Sequence, residues 1–158
     1  MRGKLVYPYS DELLNYQFRE DHPLKSDRLK LTYTLSDQLG LLDKVEHLEA
    51  TVASREVLEM YHPPEFIEAV IKAGSGTPSY QHGLGTMDNP IFPEIYETAA
   101  RYVGATMDAA REIEKGASNA FVISGGLHHA QRSEASGFCI FNDVVLAIMH
   151  IQKKKYKI

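Results

Sequence analysis

Cysteine is almost absent from this chain, which has a single one, Cys139, among 158 residues. One cysteine cannot form an internal disulfide, and this fits a reducing cytoplasm. Long hydrophobic runs are absent too, since no stretch approaches the roughly 18 apolar residues that a membrane-spanning helix needs. Charged residues surround the first apolar stretch, so no secretory signal peptide is recognised there. We therefore expect a cytoplasmic protein that does not bind membranes.

The chain also lacks an excess of positive charge. It has 17 lysines and arginines against 21 aspartates and glutamates, which gives a net charge of −4. A basic surface is therefore not expected, and we predict no direct binding to nucleic acid. The lysines at 153–155 and 157 are interpreted as a solvated helix end, where cations suit the helix dipole.

Segments typical of strands alternate with segments typical of helices. Short apolar runs at residues 4–7, ended by Pro8, and at residues 120–123 predict two strands. Capping residues and helical spacing predict helices over 28–39, 54–61, 63–74 and 93–115, and another after Asn142. This order favours an α/β fold, a parallel sheet flanked by helices. Because only two strands are recognised, we expect the sheet to be incomplete in this chain.

Three of the predicted helices have a recognisable face of residues at helical spacing. The members of these faces are Leu31, Leu35 and Leu39 on the first helix, Phe66, Ile67, Val70 and Ile71, expected inward, on the third, and Ile95, Ala99, Val103, Thr106, Ala110 and Ile113 on the longest. Between Gly74 and Pro90 the chain is rich in glycine and has no such pattern. A loop of that length in a compact domain is usually functional or mobile.

The most informative stretch, residues 124–139, follows the second predicted strand and contains the adjacent histidines His128 and His129. In a parallel sheet, the carboxyl ends of the strands form the edge where ligands bind. Catalytic groups also favour loops that a rigid scaffold holds in place. Imidazole titrates near neutral pH, which suits a general acid or base, and it is also a common metal ligand.

The residue types by themselves leave alternatives open. A bare pair of histidines is also compatible with a polar surface loop. Cys139 lies among apolar neighbours, so a buried, inert thiol is favoured over a reactive nucleophile. A self-contained metal site formed by both histidines and Cys139 lacks four convergent ligands at any recognised spacing.

Three segments of this region are specific: Gly-Gly-Leu-His-His-Ala at 125–130, Ser-Glu-Ala-Ser-Gly-Phe-Cys at 133–139 and Phe-Asn-Asp at 141–143. Together they closely resemble the active-site loop of the histone deacetylase family. That family includes acetoin-utilisation-type and acetylpolyamine-hydrolysing prokaryotic members. Residues 22–28, 61–67 and 88–90 resemble further family segments, with Phe66 replacing the usual tyrosine. The resemblance covers nearly the entire chain.

The resemblance implies zinc-dependent hydrolysis of an acetylated amine. The family's zinc ligands and its catalytic tyrosine come later in the sequence, so we expect no metal ligand in this chain and Zn²⁺ ligands beyond residue 158. Residues 1–158 are accordingly expected to be the N-terminal part of a single deacetylase-like domain whose remainder is absent. The isolated chain is expected to be inactive.

By position in the motif, the resemblance assigns catalysis to the two histidines. His129 would take a proton from water and return one to the leaving nitrogen. His128 would assist electrostatically and hold the water. The alternative is a decayed, non-catalytic relative in which both histidines only support the site.

The resemblance also assigns substrate contacts, each with a plainer alternative. Gly137 would present its carbonyl to the substrate amide, and Phe138 would form a wall of a narrow tunnel or simply pack in the core. Asp88 would hydrogen-bond the substrate at the rim, although it also suits a turn before Asn89. Arg28 would lie at the foot of the pocket near a channel for acetate, or be an ordinary residue of a helix start.

Five other polar residues receive structural interpretations. His22 is expected to make a structural hydrogen bond, and His62 and His82 are expected in solvent-exposed loops. Asn142 and Asp143 are interpreted as a helix cap and a first-turn acid.

Two functions from different classes remain. The first is a deacetylase acting on acetyl-lysine or an acetylpolyamine. The second is a truncated, non-catalytic binding or assembly module. The apolar strand predicted at 120–123 needs partners at both edges, so an open sheet edge is expected to permit self-association.

Overall fold

The computed structural model describes residues 3–155. Its strands are Leu5–Tyr9 (β1), Glu46–Glu49 (β2) and Asn119–Ala120 (β3). They form a three-stranded parallel sheet in the order β2-β1-β3. Val6 in β1 pairs with Glu46 on one side and with Ala120 on the other. The predicted α/β fold with a parallel sheet is confirmed.

The helices flanking this sheet were largely predicted. They are α1 Asp27–Gln38, α2 Arg55–Leu58, α3 Pro64–Gly74, α4 Ile95–Glu114 and α5 Asp143–Lys155, with short 3₁₀ helices at Asp11–Asn15, Leu42–Lys44 and Tyr80–His82. The long α4 packs against β1, β3, α3 and α5 and carries much of the core. Gly104 permits this packing, because an added Cβ would lie 1.8 Å from the Thr51 carbonyl oxygen. In the described range, no helix is both long and apolar enough to cross a membrane.

The limits of the strands differ from the prediction. Pro8 lies inside β1 and pairs with Leu48, whereas β3 ends opposite Val6. Pro8 therefore has a strand neighbour on one side only. A residue without an N–H group is tolerated at such an edge of a sheet. β2 was not predicted, because its sequence Glu-His-Leu-Glu is polar and mostly exposed at the sheet edge.

The third strand is also shorter than predicted. It ends at Ala120, and the next residue, Phe121, is 58% exposed. Within residues 3–155, β3 pairs with β1 alone and its other edge has no strand beside it. An apolar strand needs cover and neighbours on both sides. The incomplete sheet thus leaves Phe121, directly after β3, exposed.

Two predicted helix faces also need correction. Leu31, Leu35 and Leu39 are 71%, 57% and 63% exposed, because none of the elements in the described range covers that face of α1. In α3, Ile71 is 38% exposed, and Ala73 is buried in its place.

Candidate active site

The two histidines lie in a long loop between β3 and α5, at the carboxyl edge of the sheet. The rings of His128 and His129 are 4.3 Å apart between centroids, and both residues are exposed. The ring of His128 is oriented by a hydrogen bond of 2.8 Å between its Nδ1 and the Gly126 carbonyl oxygen. A carbonyl can only accept, so Nδ1 carries the proton and Nε2 is the basic nitrogen. The loop therefore presents two adjacent imidazoles to solvent.

Gly137 lies directly against the ring of His129. A Cβ atom at this position would lie 2.6 Å from Cγ of His129, and the backbone has a φ of +54°. Glycine is thus required for space and for conformation. The Gly137 N–H donates to Oδ2 of Asp88 over 2.7 Å. The structure therefore brings together three of the predicted site residues.

Phe138 adopts an unusual backbone conformation beside this glycine. Its φ of +68° lies in the left-handed region, which costs a residue with a side chain roughly 1–2 kcal/mol. Tyr16 holds the turn, since its hydroxyl donates to the Phe138 carbonyl over 2.8 Å and accepts from the Ile140 N–H over 3.3 Å. Burial raises the pKa of Tyr16 well above its usual value, so the hydroxyl remains a donor. The half-buried Phe138 is thereby fixed next to the histidine pair.

His22 contacts both Phe138 and the backbone of Asp88. It is buried, and its ring meets that of Phe138 edge-on at 4.6 Å. Its Nδ1 accepts from the Leu24 N–H over 3.1 Å, so Nε2 carries the proton and donates to the Asp88 carbonyl over 3.2 Å. The predicted structural hydrogen bond of His22 is confirmed.

Asp143 has a larger role than a first-turn acid. Its side chain is buried, and Oδ1 accepts from the Leu127 N–H over 2.6 Å. Oδ2 accepts from the Gly126 N–H over 3.0 Å and from the Thr106 hydroxyl over 2.6 Å. The first residue of α5 therefore anchors the start of the histidine loop and joins it to α4.

Asn142 fixes the same loop from its far end. Its Oδ1 accepts from the Val145 N–H over 3.0 Å, which confirms the predicted cap of α5. Its Nδ2 donates to the carbonyls of His128 and Ala130 over 3.2 and 2.9 Å. One side chain thus caps the helix and holds the backbone that carries both imidazoles.

The prediction that His62 and His82 lie in solvent-exposed loops was wrong. His62 is fully buried, with Nδ1 2.9 Å from the Arg132 carbonyl oxygen and Nε2 3.0 Å from the Asn142 nitrogen. Burial lowers its pKa to about 4. His82 is half-buried, and its Nδ1 lies 2.7 Å from the Ser133 carbonyl oxygen. Both rings bind loop carbonyls that no local sequence pattern could reveal.

Cys139 is a buried thiol, as expected. Burial raises its pKa, and Sγ donates to the Gly137 carbonyl over 3.2 Å. A raised pKa disfavours the reactive thiolate. Among residues 3–155 there is no group of three or more His, Cys, Asp or Glu side chains that could hold a metal ion. The described residues therefore do not make a zinc site on their own.

Arg28 is exposed in the first turn of α1. Burial raises the pKa of Tyr102 in α4, and the charge of Arg28 offsets part of that rise. The ring of Tyr102 lies 4.6 Å from that of Tyr16, which supports Phe138. The expected position of Arg28 at the foot of a pocket stays a prediction.

Comparisons with known proteins agree on one family. The family model described as the histone deacetylase domain matches residues 22–158. The acetoin utilization protein AcuC of Bacillus subtilis is 40% identical over 154 residues, which cover 94% of this chain. AcuC of Staphylococcus xylosus is 35% identical over 159 residues, which cover 98% of this chain.

Solved structures agree with the sequence comparisons. A histone deacetylase homologue from Aquifex aeolicus superposes with a TM-score of 0.87 at 28% identity, over 98% of this chain and 42% of its own. A homologue complexed with SAHA gives a TM-score of 0.86 at 29% identity, over 99% and 43%. The chain spans only 40% of the Bacillus subtilis protein and 41% of the Staphylococcus xylosus protein. This chain therefore corresponds to part of the fold of these solved structures.

Proposed function

This chain belongs to the histone deacetylase family, and we propose that the whole protein hydrolyses the amide bond of an acetylated amine. We also propose that residues 22–158, which the family model matches, belong to its catalytic domain. The observation that carries the proposal is the contact of Gly137 with the ring of His129. It joins a candidate acid–base group to the turn that is proposed to bind the substrate.

The reaction needs proton transfer at two points. Water must lose a proton to attack the acetyl carbonyl, and the leaving amine must gain one before it departs. One exposed imidazole can do both in sequence, and we assign this role to His129. His128, whose Nδ1–H is held by Gly126, provides a second basic nitrogen that orients the water.

Zinc belongs to the proposal, but its ligands do not belong to this chain. When bound, the ion polarises the acetyl carbonyl and acidifies water. Because residues 3–155 contain no suitable cluster of side chains, the ligands are assigned to the rest of the protein. Within this chain, the proposed roles are confined to proton transfer and substrate binding.

The substrate is bound by groups already fixed around the loop. Phe138, held in its left-handed conformation by Tyr16, forms one wall for an aliphatic stem. The Gly137 carbonyl accepts from the substrate amide, and Asp88 provides a carboxylate at the rim. Arg28 is assigned to the foot of the pocket. An acetyl-lysine side chain and an acetylated polyamine both have such a stem, and both remain candidate substrates.

The full-length protein should release acetate from an acetyl-lysine peptide or from an acetylated polyamine. A chelator should abolish release, and added Zn²⁺ should restore it. Activity on one substrate only would identify the substrate class. If the folded, zinc-supplemented protein releases no acetate from either, the proposed function is wrong.

The open edge of β3 favours a second candidate, a binding or assembly module without catalysis. This edge has no neighbouring strand within residues 3–155, and Phe121 beside it is 58% exposed. Such an edge can pair with another chain. The acetate assay separates the two functions, because a module that only assembles turns over no substrate.

Replacing Gly137 by alanine should reduce turnover at least about tenfold, although the change removes no functional group. The new Cβ would displace the His129 ring, and the reaction slows when a catalytic group is misplaced. The matched control is Gly76→Ala, where φ is +88° but nothing lies within 4 Å of an added Cβ. Both variants carry backbone strain, and only one crowds His129. Equal turnover in the two variants would argue against this contact.

A further inference from the structure

His62 lies between α2 and α3, outside the histidine loop, yet it binds that loop at two points. Its Nδ1 lies 2.9 Å from the Arg132 carbonyl oxygen, and its Nε2 lies 3.0 Å from the Asn142 nitrogen. The side chain is fully buried. A single ring therefore ties the middle of the loop to the point where the loop enters α5.

The two partners determine where the proton of this ring lies. The Asn142 N–H can only donate, so Nε2 must accept. The Arg132 carbonyl can only accept, so Nδ1 must carry the hydrogen. Protonation of Nε2 would turn a hydrogen bond into a contact between two N–H groups. The arrangement is therefore specific to one neutral tautomer.

The surroundings of the ring favour that neutral form. Tyr61, Phe66 and Phe141 pack on it with ring centroids 4.9, 5.4 and 5.1 Å away, and none of these residues carries a charge. The ring of His82 lies 5.7 Å from that of Phe66. Burial, opposed only in part by the Arg132 carbonyl, lowers the pKa of His62 to about 4. The neutral ring persists across the pH range in which most enzymes work.

The contact with Asn142 connects His62 to the candidate catalytic pair. The backbone of Asn142 is held by His62, and its side chain holds the carbonyls of His128 and Ala130. A shift of Asn142 would move both acceptors, and with them the backbone of His129 between them.

We propose that His62 is a positioning residue, whose neutral Nδ1–H tautomer holds the loop in the shape that aligns His128 and His129. This inference rests on the proposed function only for its effect on catalysis. The effect on loop geometry is independent of it.

The kinetic test uses the full-length protein and three variants. His62→Phe keeps a ring and removes both hydrogen bonds, so kcat should fall about tenfold while KM changes less than about threefold. His62→Gln can still accept from the Asn142 N–H and should recover part of the lost kcat. His47→Phe, a change at an exposed histidine of β2, should leave both constants unchanged. A wild-type kcat in His62→Phe, or a loss confined to KM, overturns the positioning role.

A second measurement needs no enzymatic activity. Nitrogen NMR of the wild-type imidazoles should find His62 neutral, protonated at Nδ1 and not titrating between pH 5 and pH 8, a range chosen around the ordinary histidine pKa of about 6.5. Amide exchange at Asn142 should be at least about tenfold faster in His62→Phe than in wild type. Titration of His62 near neutrality, or unchanged exchange, overturns the inference even when acetate release is normal. If acetate release is absent from the wild type, the proposed function fails and these NMR and exchange results still decide the role of His62.

Discussion

Replacing His129 by alanine in the full-length protein should lower kcat for acetate release by about a hundredfold or more, the usual scale for a positioned acid–base group. The ring is exposed at the carboxyl edge of the sheet, in contact with the backbone of Gly137. Its removal takes away the proposed proton carrier and leaves the substrate-binding turn in place. Steady-state kinetics on an acetylated substrate should therefore find KM changed much less than kcat.

Two companion variants make this result specific. Phe138→Ala should raise KM with a smaller effect on kcat, because it opens one wall of the proposed tunnel. His47→Ala, at an exposed histidine of β2, should leave both constants unchanged. Zinc content should equal that of the wild type in all three variants, because the ligands are assigned outside this chain. Wild-type turnover in His129→Ala would refute the assignment of the acid–base role.

The candidate site could be predicted from the sequence because its residues are consecutive or nearly so. The histidine pair, Gly137 and Phe138 lie within one loop, and the resemblance to a family covers most of that loop. Asp88 comes from a distant segment, but it too lies in a recognisable motif and binds the Gly137 N–H. Local sequence therefore contained most of the information about which side chains meet.

The supports of the site could not be predicted in this way. His62 and Asp143 meet loop atoms 80 and 17 positions away in the sequence. Neither spacing corresponds to a helical or strand period, so periodicity gives no signal. His62 looked like an exposed loop residue because it directly precedes two prolines. Only the packing of Phe66 and Phe141 around it explains its burial.

The wrong predictions for the third strand and for the apolar face of α1 have a common physical cause. Apolar patterns identify a face that can be buried, and they do not say what buries it. Leu31, Leu35 and Leu39 in α1, and Phe121 directly after β3, are apolar as expected, yet all four are exposed here. For β2 the prediction failed in the opposite way. The sequence of this strand is polar, yet the strand pairs with β1 at the sheet edge. Backbone pairing depends on neighbours that no local pattern describes.

Replacing Asp143 by alanine should lower the free energy of unfolding of the full-length protein by about 3 kcal/mol or more. The change removes the hydrogen bonds that a carboxylate accepts from the N–H groups of Gly126 and Leu127 and from the hydroxyl of Thr106. Each hydrogen bond to a charged group contributes about 1.5–3 kcal/mol. Turnover should fall as well, because the start of the histidine loop is released. Chemical denaturation and amide exchange at Gly126 and Leu127 measure the two effects.

Asp27→Ala is the matched control, since Asp27 is the first residue of α1 just as Asp143 is the first of α5. An exposed first-turn acid stabilises its helix by about 0.3–1 kcal/mol through the helix dipole, and Asp27→Ala should lose no more than this. Asp143→Asn keeps one carbonyl oxygen and should fall between the wild type and Asp143→Ala. If the two alanine variants lost equal stability, Asp143 would be an ordinary first-turn acid. A loss several times larger in Asp143→Ala would mean that this carboxylate stabilises the loop that carries the two histidines.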